Sequence, residues 1–149
     1  MKSVCTAATN WRNSIQSAGT KLSSGVNTKS LTKAKAEYVS FVNSLVTATG
    51  QASSQLKSAG SPAVSNGKQI SDSLVRIFDQ AKGALAKAAS QASALPTSSP
   101  HAFASSASKV VTSIRSSLAG MSNVTPEKNS ELHAAAAKDK SCQSLAASG

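Results

Sequence analysis

The sequence predicts an all-α protein, an antiparallel up-down four-helix bundle with its termini joined by one disulfide. Three observations carry this. Apolar residues recur at steps of three and four through several long runs. No stretch holds the alternation that a half-buried strand requires. The chain's two cysteines, Cys5 and Cys142, lie near its two ends.

The first run is Val4, Ala8, Trp11, Ile15, Ala18 and Leu22, one face of a helix that Gly25 and Asn27-Thr28 close. The second run is Leu31, Ala34, Tyr38, Phe41, Leu45, Ala48, Ala52 and Leu56, widened by Val42 and Val46. It predicts a helix from Ser30 to Ala59, some 45 Å long at about 1.5 Å per residue. Gly50 inside it costs about 1 kcal/mol relative to Ala and marks a place for a bend. Gly60 stops the helix.

Ser61-Pro62 is a start signal for the third helix, a capping hydroxyl before a residue with no N–H to leave unpaired. The turn signal Asn66-Gly67 moves the regular helix to about Lys68. Its stripe is Ile70, Leu74, Ile77, Phe78, Ala81, Leu85, Ala88, Ala92 and Leu95, closed by Pro96. Ser99-Pro100 repeats the start signal before Phe103, Ala107, Val110, Ile114, Leu118 and Met121. Gly120 to Thr125 breaks that stripe. Thr125-Pro126, with Glu127 in the first turn, starts a last short helix through Leu132, Ala135 and Ala136 toward Cys142 and Leu145.

Counted by breaks there are five helical segments. With five antiparallel layers the termini would lie at opposite ends, about 30 Å apart for twenty-residue helices. A disulfide needs Cα atoms about 5.5 Å apart. The conflict disappears if the last two segments form one fourth helix broken near Ser122–Pro126, because an even number of layers returns the chain to its starting end. Closing so long a loop stabilises the fold by about 4–5 kcal/mol in the chain-entropy model. Two separate buried thiols are the alternative.

At 149 residues the chain is one domain, spanning 1–149. Aromatics make up only 3%, and much of the apolar content is Ala, so the helices are expected to pack closely. Net charge is +10. Bases outnumber acids in every segment but the last, where Lys128, Lys138 and Lys140 offset Glu127, Glu131 and Asp139. Such an excess favours anionic partners, an envelope polymer or a membrane surface. The bases lack the density and aromatic interleaving of a sequence-specific nucleic-acid reader.

A lone cysteine pair suits an oxidising compartment. No apolar run is long enough to cross a membrane. Met1-Lys2-Ser3-Val4-Cys5 is too short for a signal peptide, so export implies a leader already removed. Val4 makes a poor lipobox before Cys5, which favours a disulfide over lipidation.

Catalytic and metal constellations are not legible, and neither a cofactor nor an enzyme activity is expected. His101 and His133 have no Cys, Asp or Glu at ligand spacing. Asp72 with Arg76, and Asp79 with Lys82, fit surface ion pairs at helical spacing. No serine sits in a nucleophile-elbow motif, and no Gly-rich phosphate loop occurs. Asn123-Val124-Thr125 matches a glycosylation sequon weakened by Pro126. Trp11, Tyr38, Phe41, Phe78 and Phe103 read as core anchors or, less simply, as the lining of an apolar ligand site.

Cys5 with Trp11 six residues later, three further Ala-rich runs, and Glu131-Leu132-His133-Ala134-Ala135-Ala136-Ala137 before Cys142-Gln143-Ser144-Leu145 resemble small exported, lipoprotein-like helical-bundle proteins of actinobacteria. The resemblance covers most of the chain and implies location and fold rather than chemistry. Many such proteins are lipoproteins or acidic, and the high positive charge here departs from that. Together these features point to a non-enzymatic, exported or envelope-associated interaction module with a basic surface. The second reading is a carrier holding a small apolar ligand between the helices near Trp11, Tyr38 and Phe78.

Overall fold

The apolar runs fold as helices in the computed structural model, which describes residues 1–25, 29–122 and 130–146, with side chains at 1–24, 29–119 and 134–143. The elements are α1 (Lys2–Gly25), α2 (Leu31–Ala59), α3 (Gly67–Ser93), α4 (Pro100–Ser122), α5 (Ser130–Ala137) and α6 (Lys140–Ala146). No strand occurs among the described residues. Helices α1 to α4 pack each on the next, and α6 packs on α1. The result is a four-helix bundle whose termini are joined by Cys5–Cys142, with Cα atoms 5.0 Å apart.

Local chemistry sets the helix ends. The Ser30 hydroxyl accepts from the Lys33 N–H, and the Ser99 hydroxyl accepts from the Ala102 N–H at 3.2 Å, each satisfying a first-turn donor. Pro100 follows Ser99 as the first residue of α4. Gly60 ends α2 with φ of 68°, a conformation that favours glycine.

The third helix starts where the Asn66-Gly67 turn signal places it. Ser61-Pro62 opens a turn instead, in which the buried Pro62 carbonyl accepts from Val64 N–H and the Val64 carbonyl from Gly67 N–H. Asn66 adopts the left-handed region with φ of 60°, and α3 begins at Gly67. A Cβ at Gly67 would overlap the Pro62 carbonyl oxygen, so close backbone approach requires glycine there. Helix α2 continues through Gly50, over which the Lys82 side chain lies; a Cβ there would meet Lys82 Cε at 3.2 Å.

The C-terminal segment, read as one short helix, is two. Asp139 caps α6: its carboxylate accepts from Ser141 N–H at 2.9 Å and its carbonyl from Cys142 N–H at 3.0 Å. The Gln143 amide donates to the Ala137 carbonyl at 2.7 Å, pairing an acceptor that the end of α5 leaves open. Helix α4 ends at Ser122. The rest of the expected break, the sequon at Asn123 and the Thr125-Pro126 start signal lie outside the described residues.

The core has two levels. One unites Ala18, Ala34, Val42, Leu45, Leu85, Ala88, Ala92 and Leu95 with Phe103, Ala107, Val110 and Ile114 of α4. The other holds Ala7, Ala52, Leu56 and Phe78, with Val4, Trp11 and Leu74 against them. The stripe of α3, and that of α4 from Phe103 to Leu118, are those expected; the Met121 side chain lies outside the described residues. On α1 the fully buried alanine is Ala7, at 1% exposure, in place of Ala8.

Candidate functional site

The aromatic residues divide between the two levels. Trp11 on α1 meets Phe78 on α3 edge to face, with centroids 5.4 Å apart and planes at 77°. Tyr38 on α2 meets Phe103 on α4 the same way at 6.1 Å. Tyr38 and Thr49, the α2 residue beside Trp11, are eleven positions apart, about 16 Å of helix. The structure therefore does not bring Trp11, Tyr38 and Phe78 around one space. Phe41 is partly buried against the larger core level. Phe78 and Phe103 are buried, whereas Trp11 is only partly so, less than its place on the stripe implies.

Trp11 is held by a polar contact that periodicity does not reveal. Its indole Nε1–H donates to Thr49 Oγ1 at 3.1 Å. Thr49 is fully buried, and Ser53 one turn later is 2% exposed. Both stand beside the Leu45–Ala48–Ala52–Leu56 stripe. Nothing in their own sequence neighbourhood marks them, since their partners come from other helices.

Ser53 leads into a second network. Its hydroxyl donates to Asp79 Oδ1 at 2.6 Å, and Lys57 Nζ sits 3.0 Å from Oδ2. The Ser53 bond first, then the Lys57 bond, hold the Asp79 carboxyl below its ordinary range, while desolvation opposes them. Asp72 pairs with Lys68 at 2.7 Å. These pairings replace those expected from spacing, Asp72 with Arg76 and Asp79 with Lys82. The α2–α3 hairpin places Lys57 against Asp79, and Lys82 lies over Gly50. An open groove of about 750 Å³ runs past Lys57, Lys68, Asp72, Arg76 and Asp79. It presents both signs of charge and is lined by flexible, solvated side chains.

His101 is exposed in the first turn of α4. The side chain of His133 lies outside the described residues. Among the described residues, no three His, Cys, Asp or Glu side chains gather where they could hold a metal, and no helix is long and apolar enough to cross a membrane. The abundant serines mostly serve their own helices: Ser14, Ser44, Ser93 and Ser117 donate to the carbonyl four residues back. No family model, curated protein or solved structure matches the chain.

The basic side chains are spread over α1 to α4 and α6; α5 carries none. Lys2, Lys21, Lys33, Lys87, Lys109 and Arg115 are all exposed. The disulfide is compatible with an oxidising compartment outside the cytosol.

Proposed function

We propose that this protein is a non-enzymatic, exported or envelope-associated interaction module that engages anionic surfaces through its basic exterior. The observation that carries the reading is the exposure of cations on helix after helix around a disulfide-joined bundle. Sixteen bases face six acids, and Asp72 and Asp79 are each taken up by a lysine. A surface of this kind produces a long-range positive field. The oxidised cysteine pair supports export, and the resemblance to exported bundle proteins points the same way.

Co-sedimentation with anionic and with neutral phospholipid vesicles, over a salt series, tests the reading. Exposed charges are screened over about 8 Å at physiological ionic strength. Binding to the anionic vesicles is expected at low salt and should fade by about 0.3 M salt. Neutral vesicles should bind little, and no single Lys→Ala change should abolish the interaction. Equal binding to both vesicle types, or none to either, would overturn the reading.

A further inference from the structure

Carboxylates are interleaved with cations at one end of the bundle and reduced to one at the other. The α1–α2 and α3–α4 connections share an end, because Ala18, Leu31, Ala92, Leu95 and Phe103 meet in one level of the core. The opposite end carries the disulfide and the α2–α3 turn. There three carboxylates stand among six cations: Asp79 with Lys57, Asp72 with Lys68, and Asp139 between Lys138 and Lys140, with Lys2 and Arg76 in addition. Fields from such neighbours largely cancel beyond the pair.

At the loop end they add. Lys21, Lys29, Lys33 and Lys35 are placed there by the end of α1 and the start of α2, and no acid precedes Glu37 in the chain. Lys87 and Lys109 come next, about 9 Å and 14 Å from the ends of α3 and α4 at that tip. No acid lies between Asp79 and Glu127. Six lysines thus share this end with one carboxylate, Glu37. Lys33 even occupies the first turn of α2, where the helix dipole disfavours a cation, and that turn carries no acid.

We infer that the loop end is a docking surface for an anionic phospholipid bilayer, with the bundle standing end-on. This rests on the interaction-module reading and adds an orientation to it. The six cations are all lysine. A lysine ammonium is a hydrated point charge without the planar fork that grips an individual phosphate, so the set suits a plane of headgroups. A duplex nucleic acid would instead require cations along a groove or a helix flank, following its phosphates.

The test compares two quadruple variants with the same change of charge. One is Lys21→Gln with Lys29→Gln, Lys33→Gln and Lys35→Gln. The control is Lys2→Gln with Arg76→Gln, Lys138→Gln and Lys140→Gln. Circular dichroism establishes that both stay helical. Binding is measured at low salt to phosphatidylcholine vesicles containing phosphatidylglycerol, and in parallel to duplex DNA. Each lysine near an anionic bilayer contributes about fivefold in affinity. The loop-end variant should lose on the order of a few hundredfold, and the control less than about tenfold. Equal losses would overturn the end-on orientation while leaving the module reading intact. No vesicle binding by the unmodified protein would overturn both. Tighter binding to DNA than to vesicles at equal salt would make nucleic acid the partner and overturn the membrane proposal.

Discussion

Trp11 and Thr49 lie on different helices and share a hydrogen bond, indole nitrogen to hydroxyl oxygen, at 3.1 Å. The bond ties α1 to α2 beside Phe78. Trp11→Phe keeps a ring against Phe78 but leaves the buried Thr49 hydroxyl without this donor. It should cost about 1–2 kcal/mol, the usual penalty for a buried polar group deprived of one partner. Thr49→Val should cost about the same. The double variant should cost less than the sum, since it removes both ends of one interaction. Chemical denaturation of the four proteins measures the coupling. Strict additivity would show that the bond contributes nothing. Trp11 fluorescence should shift blue of free tryptophan but short of a fully enclosed ring.

Asp79 should make stability depend on acid pH. Its folded-state pKa lies below the ordinary 3.8 because Ser53 and Lys57 bond its charged form. The sign follows: this stabilisation is fully present above the unfolded value and is lost as pH falls through the folded one. The window is therefore below about pH 4. The effect should be shallow and salt-sensitive, because Lys57 and Asp79 are 56% and 47% exposed. Asp79→Asn should flatten stability against pH in that window. An unchanged slope would assign the acid sensitivity to other carboxyl groups.

Gly67→Ala tests the close approach at the α2–α3 turn. The new methyl would collide with the Pro62 carbonyl, which already accepts from Val64 N–H. Overpacking of this kind costs about 1–3 kcal/mol. Gly83→Ala is the natural contrast, because nothing lies within 4 Å of its Cβ position. In an open helix interior that change should stabilise by about 0.5–1 kcal/mol. Thermal melts of the pair should move in opposite directions.

Reducing Cys5–Cys142, or replacing both residues with Ser, should lower stability by about 4–5 kcal/mol in the chain-entropy model for a separation of 137 residues. Helical circular dichroism at low temperature should persist, since neither core level depends on the sulfur atoms. Loss of all helix on reduction would show that the bundle cannot stand without its staple.

Much of the fold is legible because helical periodicity is a local property. The stripes of α3 and α4, the cap at Ser99, and the stop at Gly60 depend on residues within a turn or two of each other. The four-layer arrangement is readable for a different reason, the parity that brings Cys5 to Cys142. Between Ser61-Pro62 and Asn66-Gly67 the later turn sets the start of α3, as local chemistry predicts. Local signals mislead at Lys138-Asp139, where the capping carboxylate splits a segment that periodicity alone would join.

The sequence by itself determined the helical class, the register of the main apolar faces and the positive charge, since each follows from composition or spacing, and it left Cys5–Cys142 as the one pairing two cysteines allow. Only the tertiary structure decided that Trp11 bonds Thr49, that Asp79 pairs with Lys57 instead of Lys82, that the aromatic residues separate into two levels, and that one end of the bundle gathers six lysines around a single carboxylate. These are relations between helices. Their distances depend on how faces meet after packing, a quantity to which no window along one helix has access.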